Sequence, residues 1–479
     1  MTAPSSTRWF SGWARRLGCL GLVLVGVGCL GLLGFRVVMW KVHREAERRL
    51  EHSAQSLPSR AAKAKARVDR GSSSRGMALS DIPRLGPALS GDDPAALQAF
   101  AADVSEIDEF LRRCGHARNG GRIDFRALLA SLGVTLPPGA TDAEAAAAFL
   151  AQTERFAAFF ADWKAAVTSG KWDTVDADGL LQAWTPVFGV VPRLLRIMAE
   201  AYWQTGDMGS AWDTVTLMAA TTERAFDISR LHSQGSGFAA GGMLAETIAG
   251  GLEAGVWTDD HLRAVPGLAA SLDPIGRLPG YATAAKQTLD LWAARPETLR
   301  AGASIQLDTT NPINSVLSLA HGVMASSSQR RLDNFSMIKA IFDADVASVN
   351  AETRTLLPAA ERAAFDPLKG LEDDWFSSLY FADAWHMGTN QEESPLATVV
   401  TAQSRLDQSI IAARLERERR STGEYPAGLP DGLPHDPATG QPYRYERVPD
   451  GGFRLWGLGL DQSDQGGDAR SDVVWPPKP

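Results

Sequence analysis

The sequence predicts a mainly α-helical protein with an N-terminal transmembrane helix, an irregular antiparallel helical body and a small C-terminal α+β module. Three observations predict it. No residue from 17 to 35 is charged, and 37–40 carries the apolar run past Arg36. Apolar residues then recur at intervals of three and four through much of 79–393, the spacing of one helical face. Beyond Gly423 that rhythm gives way to turn residues and short alternating runs, the pattern of strands.

A chain of 479 residues exceeds one ordinary hydrophobic core, so several structural units are expected. The composition, 44% hydrophobic and 22% charged, is that of a globular protein. Of the three cysteines, Cys19 and Cys29 lie in the apolar run and Cys114 stands alone. No disulfide framework follows from such a set. The net charge of −8 is unevenly spread: 1–40 carries +4, 41–75 carries +6 and the rest −18. A basic collar beside an apolar helix suits anionic membrane lipid. The acidic remainder argues against nucleic acid as a partner.

After a tail at 1–16, the membrane segment spans 17–40, about 24 residues or roughly 36 Å of helix, enough for a hydrocarbon core of about 30 Å. Arg36 can snorkel, and Trp13 and Trp40 suit the two interfaces. The run is longer than a signal peptide's apolar region, and no small-x-small cleavage site follows Trp40 closely. Lysine and arginine are balanced on the two sides, so charge alone leaves orientation open. The stretch 41–78 reads as a basic juxtamembrane helix and then a linker through Gly71-Ser72-Ser73-Ser74.

In the body, Asp93-Pro94 opens a helix whose apolar face is Leu97, Phe100, Val104, Ile107 and Leu111. Thr141 and Glu144 form a capping box before a run through Trp163. Helices over 192–204 and 208–226 meet at Thr205-Gly206-Asp207. Further helices are expected over 238–254, 259–272, 281–294, 313–324, 334–349 and 374–385. No second copy of any segment recurs at a fixed period, so an irregular stack is expected rather than a solenoid.

Catalytic signatures are scarce. No HExxH, Cys-x-x-Cys, P-loop or Gly-x-Ser-x-Gly motif occurs. Asp383 and His386, three apart on an expected helix behind Glu372, Asp373 and Asp374, are the nearest approach to a metal pair. Acids at a helix start and histidine near its end are more simply read as helix-dipole partners. His232-Ser233-Gln234-Gly235-Ser236-Gly237 is read as an inter-helix loop rather than a nucleophile turn. No catalytic residue is assigned.

The C-terminal region, 394–479, is the most informative. Ser394-Pro395 starts a long helix with Leu406, Ile410, Ala413 and Leu415 on its apolar side, and Thr422-Gly423 ends it. Tyr425-Pro426, Leu433-Pro434, Asp436-Pro437 and Gly440 make a turn-rich path. The alternating run 443–448 and the run 453–456 flank Pro449-Asp450-Gly451-Gly452, as in a hairpin. Gly457-Leu458-Gly459-Leu460 leads into an acidic loop with Asp461, Asp464, Asp468 and Asp472, closing on Val473-Val474-Trp475.

This order of motifs resembles the C-terminal half of the major pseudopilin of type II secretion systems. The matching residues are Tyr425-Pro426, Leu433-Pro434-His435-Asp436-Pro437, Gly440-Gln441-Pro442-Tyr443-Arg444-Tyr445 and Leu458-Gly459-Leu460-Asp461. The resemblance covers only the last 80 or so residues; the chain as a whole is similar to bacterial membrane-anchored proteins that end in such a module. In pseudopilins the final loop binds calcium through aspartates and backbone carbonyls, as a hard cation requires. The resemblance therefore implies Ca²⁺ at the Leu458 carbonyl, Asp461 and Asp472, with Asp468 and Asp464 as further candidates. It also implies a body on the extracytoplasmic, periplasmic side. The N-terminus differs: Arg36-Val37-Val38 follows Gly34-Phe35, and Met39 stands where a pseudopilin carries glutamate. The expectation is a module fused to a different anchored protein.

Together these features lead to a non-enzymatic binding or scaffold protein of the cell envelope that meets lipid and a protein partner. An accessory part of a secretion or pilus-like apparatus is the second expectation. An enzyme with a dispersed site in the helical body is the third.

Overall fold

The computed structural model describes residues 94–115, 118–119, 122–168, 187–227, 231–293, 328–350, 352–363, 366, 394–449 and 451–477. The expected membrane helix, the juxtamembrane segment, the helices over 313–324 and 374–385, and the Asp383–His386 pair lie outside these residues. Among the described residues no helix is long and apolar enough to cross a membrane.

The described chain is mainly helical with small antiparallel sheets. Helix α1, Pro94–Cys114, buries Phe100, Val104, Ile107 and Leu111. A two-residue hairpin follows, β1 (Arg118–Asn119) with β2 (Arg122–Ile123), and then α2, Phe125–Ser131. Helix α3, Asp142–Thr153, starts at the expected capping box. The Thr141 amide donates to Glu144 Oε2 at 2.6 Å and the Glu144 amide to Thr141 Oγ1 at 3.2 Å, satisfying two donors that a helix start leaves open. A 3₁₀ turn at Glu154–Phe156 separates α3 from α4, Ala157–Thr168.

Helices α5 (Val187–Gln204) and α6 (Met208–Asp227) form a hairpin. Gly206 turns the chain at φ 87°, and Asp207 Oδ1 caps α6 by accepting from the Ser210 amide at 3.0 Å. Helix α5 begins five residues before Pro192, where the sequence pattern had placed its start. Val187, Phe188, Val190 and Val191 are all buried, and that burial outweighs the hydrogen bond that proline cannot donate.

Helix α7, Leu231–Glu253, likewise starts ahead of expectation, so 232–237 is helix and not loop. Glycine there serves close packing. A Cβ on Gly237 would stand 2.9 Å from the Phe226 ring. Helix α8 is Asp259–Ala270, α9 is Pro274–Ala293 and α10 is Ser328–Ala347. A hairpin of β3 (Val349–Asn350) and β4 (Thr355–Leu356) and the single turn α11 (Ala359–Arg362) come next. Val349 is thus strand, where the periodicity had extended a helix.

Helix α12, Pro395–Thr422, has Ser394 as N-cap, whose Oγ accepts from the Ala397 amide at 3.1 Å. Gly423, at φ 92°, ends it in the left-handed conformation. A three-stranded antiparallel sheet follows in the order β5 (Arg444–Arg447), β6 (Phe453–Gly457), β7 (Val473–Trp475). Helix α12 packs on α7, α8 and α9 as well as on the sheet. One continuous core joins Trp163, Leu194 and Leu244 to Leu406, Trp456 and Leu458. A second cluster, Ile411, Leu415, Tyr443, Leu455 and Trp475, lies between α12 and the sheet.

Candidate functional site

The acidic loop 458–472 leaves β6 and returns as β7, so sheet pairing brings its two ends together: Gly457 faces Val473 and Trp456 faces Val474. Helix α12 fixes the returning strand, because Gln408, fully buried, donates from Nε2 to the Val473 carbonyl at 2.6 Å. The outgoing end is held by Asp436, which is 2% exposed. Its Oδ2 accepts from the Leu458 amide at 2.8 Å and its Oδ1 from the Ala438 amide at 3.0 Å. Burial pushes its pKa up, against those two amides, which favour the carboxylate. Beneath lies Asp407, held by Gln403 Nε2 at 2.9 Å and by the Tyr443 hydroxyl at 3.3 Å. Burial pushes this carboxyl up to about 7.

Close approach explains two glycines. A Cβ on Gly457 would stand 2.7 Å from Tyr443 Cε1, and one on Gly459 would stand 2.2 Å from the Ser471 carbonyl oxygen and 3.7 Å from Asp461 Oδ1. The missing side chain of Gly459 therefore lets a main-chain oxygen and a carboxylate oxygen line one small cradle.

The four aspartates differ in their surroundings. Asp461 is exposed and accepts from the Ser463 amide at 3.1 Å and from Gln465 Nε2 at 2.8 Å, both neutral donors. Asp464 accepts from Trp456 Nε1 at 3.1 Å, the Gly466 amide at 2.9 Å and Arg444 Nε at 3.1 Å, and these hold its pKa down. Asp468 pairs with Arg470 at 2.5 Å. Asp472 is 4% exposed; its Oδ2 accepts from the Gly467 amide at 2.8 Å. Its Oδ1 is buried with no hydrogen-bond partner. Burial pushes the pKa of Asp472 up, as does the nearby Asp464, against the backbone amides of Gly467, Gln465 and Asp468, which favour its charge.

Sheet pairing thus brings Leu458 and Asp472 to adjoining positions, and Asp461 joins them beside Gly459. Asp464 is near Asp472 but committed to an arginine, and Asp468 is paired within its own turn. Among the described residues no three His, Cys, Asp or Glu side chains converge as a metal centre. A calcium ion here would take main-chain oxygens with one or two carboxylates, a donor set that Ca²⁺ accepts. The buried, unpartnered Asp472 Oδ1 fits such an ion, since an unsatisfied buried carboxylate oxygen is costly without a cation or donor.

Three residues essential to this arrangement carried no signal in the sequence. Asp407 lies on an apolar helix face, and Gln462 and Arg362 belong to unremarkable surroundings. Gln462, at φ 57°, donates to the Leu357 and Ala438 carbonyls at 3.1 and 2.5 Å and accepts from the Ala359 amide at 2.8 Å. Arg362 donates from Nε to the Leu357 carbonyl at 3.0 Å and from Nη2 to the Leu460 carbonyl. For Asp436 a signal existed, as part of its Leu-Pro-x-Asp-Pro motif.

A second polar feature is a small cleft lined by Arg122, Arg196, Glu200, Trp203, Glu246 and Glu253, among others. Arg196 pairs with Glu246, which Arg405 also reaches at 3.4 Å. Glu200, 7% exposed, accepts from the Ile123 amide at 2.8 Å. These charges tie β2, α5, α7 and α12 together.

Comparison with family models, curated proteins and solved structures yields no match to this chain.

Proposed function

We propose that this chain is a membrane-anchored, non-enzymatic binding or scaffold protein of the cell envelope. In this reading 17–40 is the anchor, the body lies on the extracytoplasmic side, and 394–479 is a pseudopilin-like α+β module that holds Ca²⁺. The observation that carries the calcium reading is Asp472, whose buried Oδ1 has no hydrogen-bond partner. Asp472 and Asp461 would hold the ion together with the Leu458 carbonyl, and Asp464 and Asp468 would shape the loop around it. The ion would act structurally, by joining the two ends of the loop. The buried carboxylates Asp407, Asp436 and Glu200 would serve the scaffold rather than the ion. Each accepts from donors of the fold itself.

The test is thermal unfolding of the full-length chain in detergent micelles, with Ca²⁺ or with EDTA. The reading expects a higher Tm with Ca²⁺, with the increment lost in Asp472→Ala and reduced in Asp461→Ala. Superimposable curves in Ca²⁺ and EDTA would remove calcium from the proposal.

A further inference from the structure

The loop that the calcium reading invokes already has a cation of its own. Arg362, from the short turn α11, donates from Nη2 to the Leu460 carbonyl, next to Asp461, and from Nε to Leu357. Two carboxylates act on its charge: Asp345 on α10, whose Oδ2 atom is buried, and Asp461 on the loop. The same segment is fastened to the C-terminal region by neutral bonds. The Ala359 amide donates to Gln462 Oε1 at 2.8 Å, and the Leu356 amide to the Pro437 carbonyl at 2.8 Å. On its other side, Arg354 pairs with Asp273, between α8 and α9, at 2.9 Å. The 352–363 segment is therefore a strap between the helical body and the acidic loop, with one guanidinium at the point of contact.

A guanidinium and a calcium ion seek the same atoms, namely carbonyl and carboxylate oxygens. They also repel one another, strongly so where solvent is partly excluded. Leu460 and Asp461 are adjacent, so both cations cannot be served there at full strength. From this geometry we infer that Arg362 is a tethered cation competing with Ca²⁺ for the 458–461 oxygens, so that ion binding frees the 352–363 strap from the loop. The inference rests on the calcium reading above and adds its regulation. Ca²⁺ loading would be communicated to the helical body through the Arg362 contact, and the strap would be the element that responds. By reciprocity, anything that holds the strap down weakens calcium binding by the same factor.

The experiment uses the full-length chain in detergent micelles, with Ca²⁺ alone as the titrant in calorimetry. Arg362→Gln keeps a polar side chain and removes the charge, and is expected to tighten Ca²⁺ binding by about tenfold. Arg470→Gln, which changes a charge within the loop's outer turn, is the comparison and should move affinity less. Equal or weaker binding in Arg362→Gln overturns the competition while leaving the calcium reading intact. Absence of binding to either protein overturns both. A second measurement needs no substitution: hydrogen exchange of the Leu356 and Ala359 amides in the unmodified protein. Exchange should quicken when Ca²⁺ is added at constant pH. Unchanged or slower exchange at these two amides would overturn the release of the strap, even if Arg362→Gln failed to fold.

Discussion

Tyr443 donates its hydroxyl hydrogen bond to Asp407 Oδ2 at 3.3 Å, across the seam where helix α12 meets the sheet. Both residues are buried, and Asp436 and Asp273 add negative charge nearby. The seam thus holds carboxylates in a low-dielectric environment, with neutral donors as their partners.

Stability should therefore depend on pH in a defined direction. Burial raises Asp407 from 3.8 to about 7 in the folded state, and Asp345 rises to about 7 for the same reason. A raised folded-state pKa favours the protonated, folded form. That stabilisation is complete below about pH 4 and is lost as pH rises through about 7. Asp407→Asn, which stays neutral, should flatten this part of the profile. At pH 8 it should gain on the order of 1–3 kcal/mol over the unaltered chain. Denaturant unfolding at pH 5 and pH 8 checks both statements. A larger benefit of the substitution at pH 5 than at pH 8 would contradict them.

In the helical body, Trp163 Nε1 donates to Thr221 Oγ1 at 2.9 Å, with both residues fully buried. Thr221→Val keeps the shape but removes the acceptor, and should cost about 1–3 kcal/mol. Thr221→Ser retains the hydroxyl and should recover most of that hydrogen-bond loss. Equal destabilisation by the two substitutions would show that the lost methyl and its packing matter more than the bond.

Gly459 stands where two stretches of backbone nearly touch. Alanine there would put Cβ 2.2 Å from the Ser471 carbonyl oxygen, and a main-chain atom cannot swing aside as a flexible side chain can. Gly459→Ala should cost about 1–3 kcal/mol or more and alter the fluorescence of Trp456, whose indole donates to Asp464. Gly428 has open space around its Cβ position, so Gly428→Ala should change stability by about 0.5 kcal/mol or less. Thermal unfolding of the two variants side by side tests the contrast.

Much of the helical order was written in local sequence. The Thr141–Glu144 box, the Ser394-Pro395 start, the Gly423 stop and the turn at Gly206-Asp207 all occur at the expected residues, because capping depends on neighbours within a few positions. The β5–β6 hairpin was equally legible from its alternation and its Pro-Asp-Gly-Gly turn. Errors arose where burial overrode local preference. Pro192 lies inside α5 because apolar residues before it are buried, and Gly235 and Gly237 continue α7, with Gly237 packed against a phenylalanine ring.

By itself, then, the sequence determined the caps that begin or end several helices, which residues form the hairpin, and that an acidic loop follows it. Tertiary structure alone decided what surrounds each carboxylate. Asp461, Asp464, Asp468 and Asp472 look equivalent in the chain. Yet Arg444 and Trp456 engage Asp464, Arg470 engages Asp468, and burial sets Asp472 apart. Arg362 comes to Leu460 from almost 100 positions away. Electrostatics depends on distance in space and on the exclusion of water, and residue spacing along a chain encodes neither once the chain has turned back on itself.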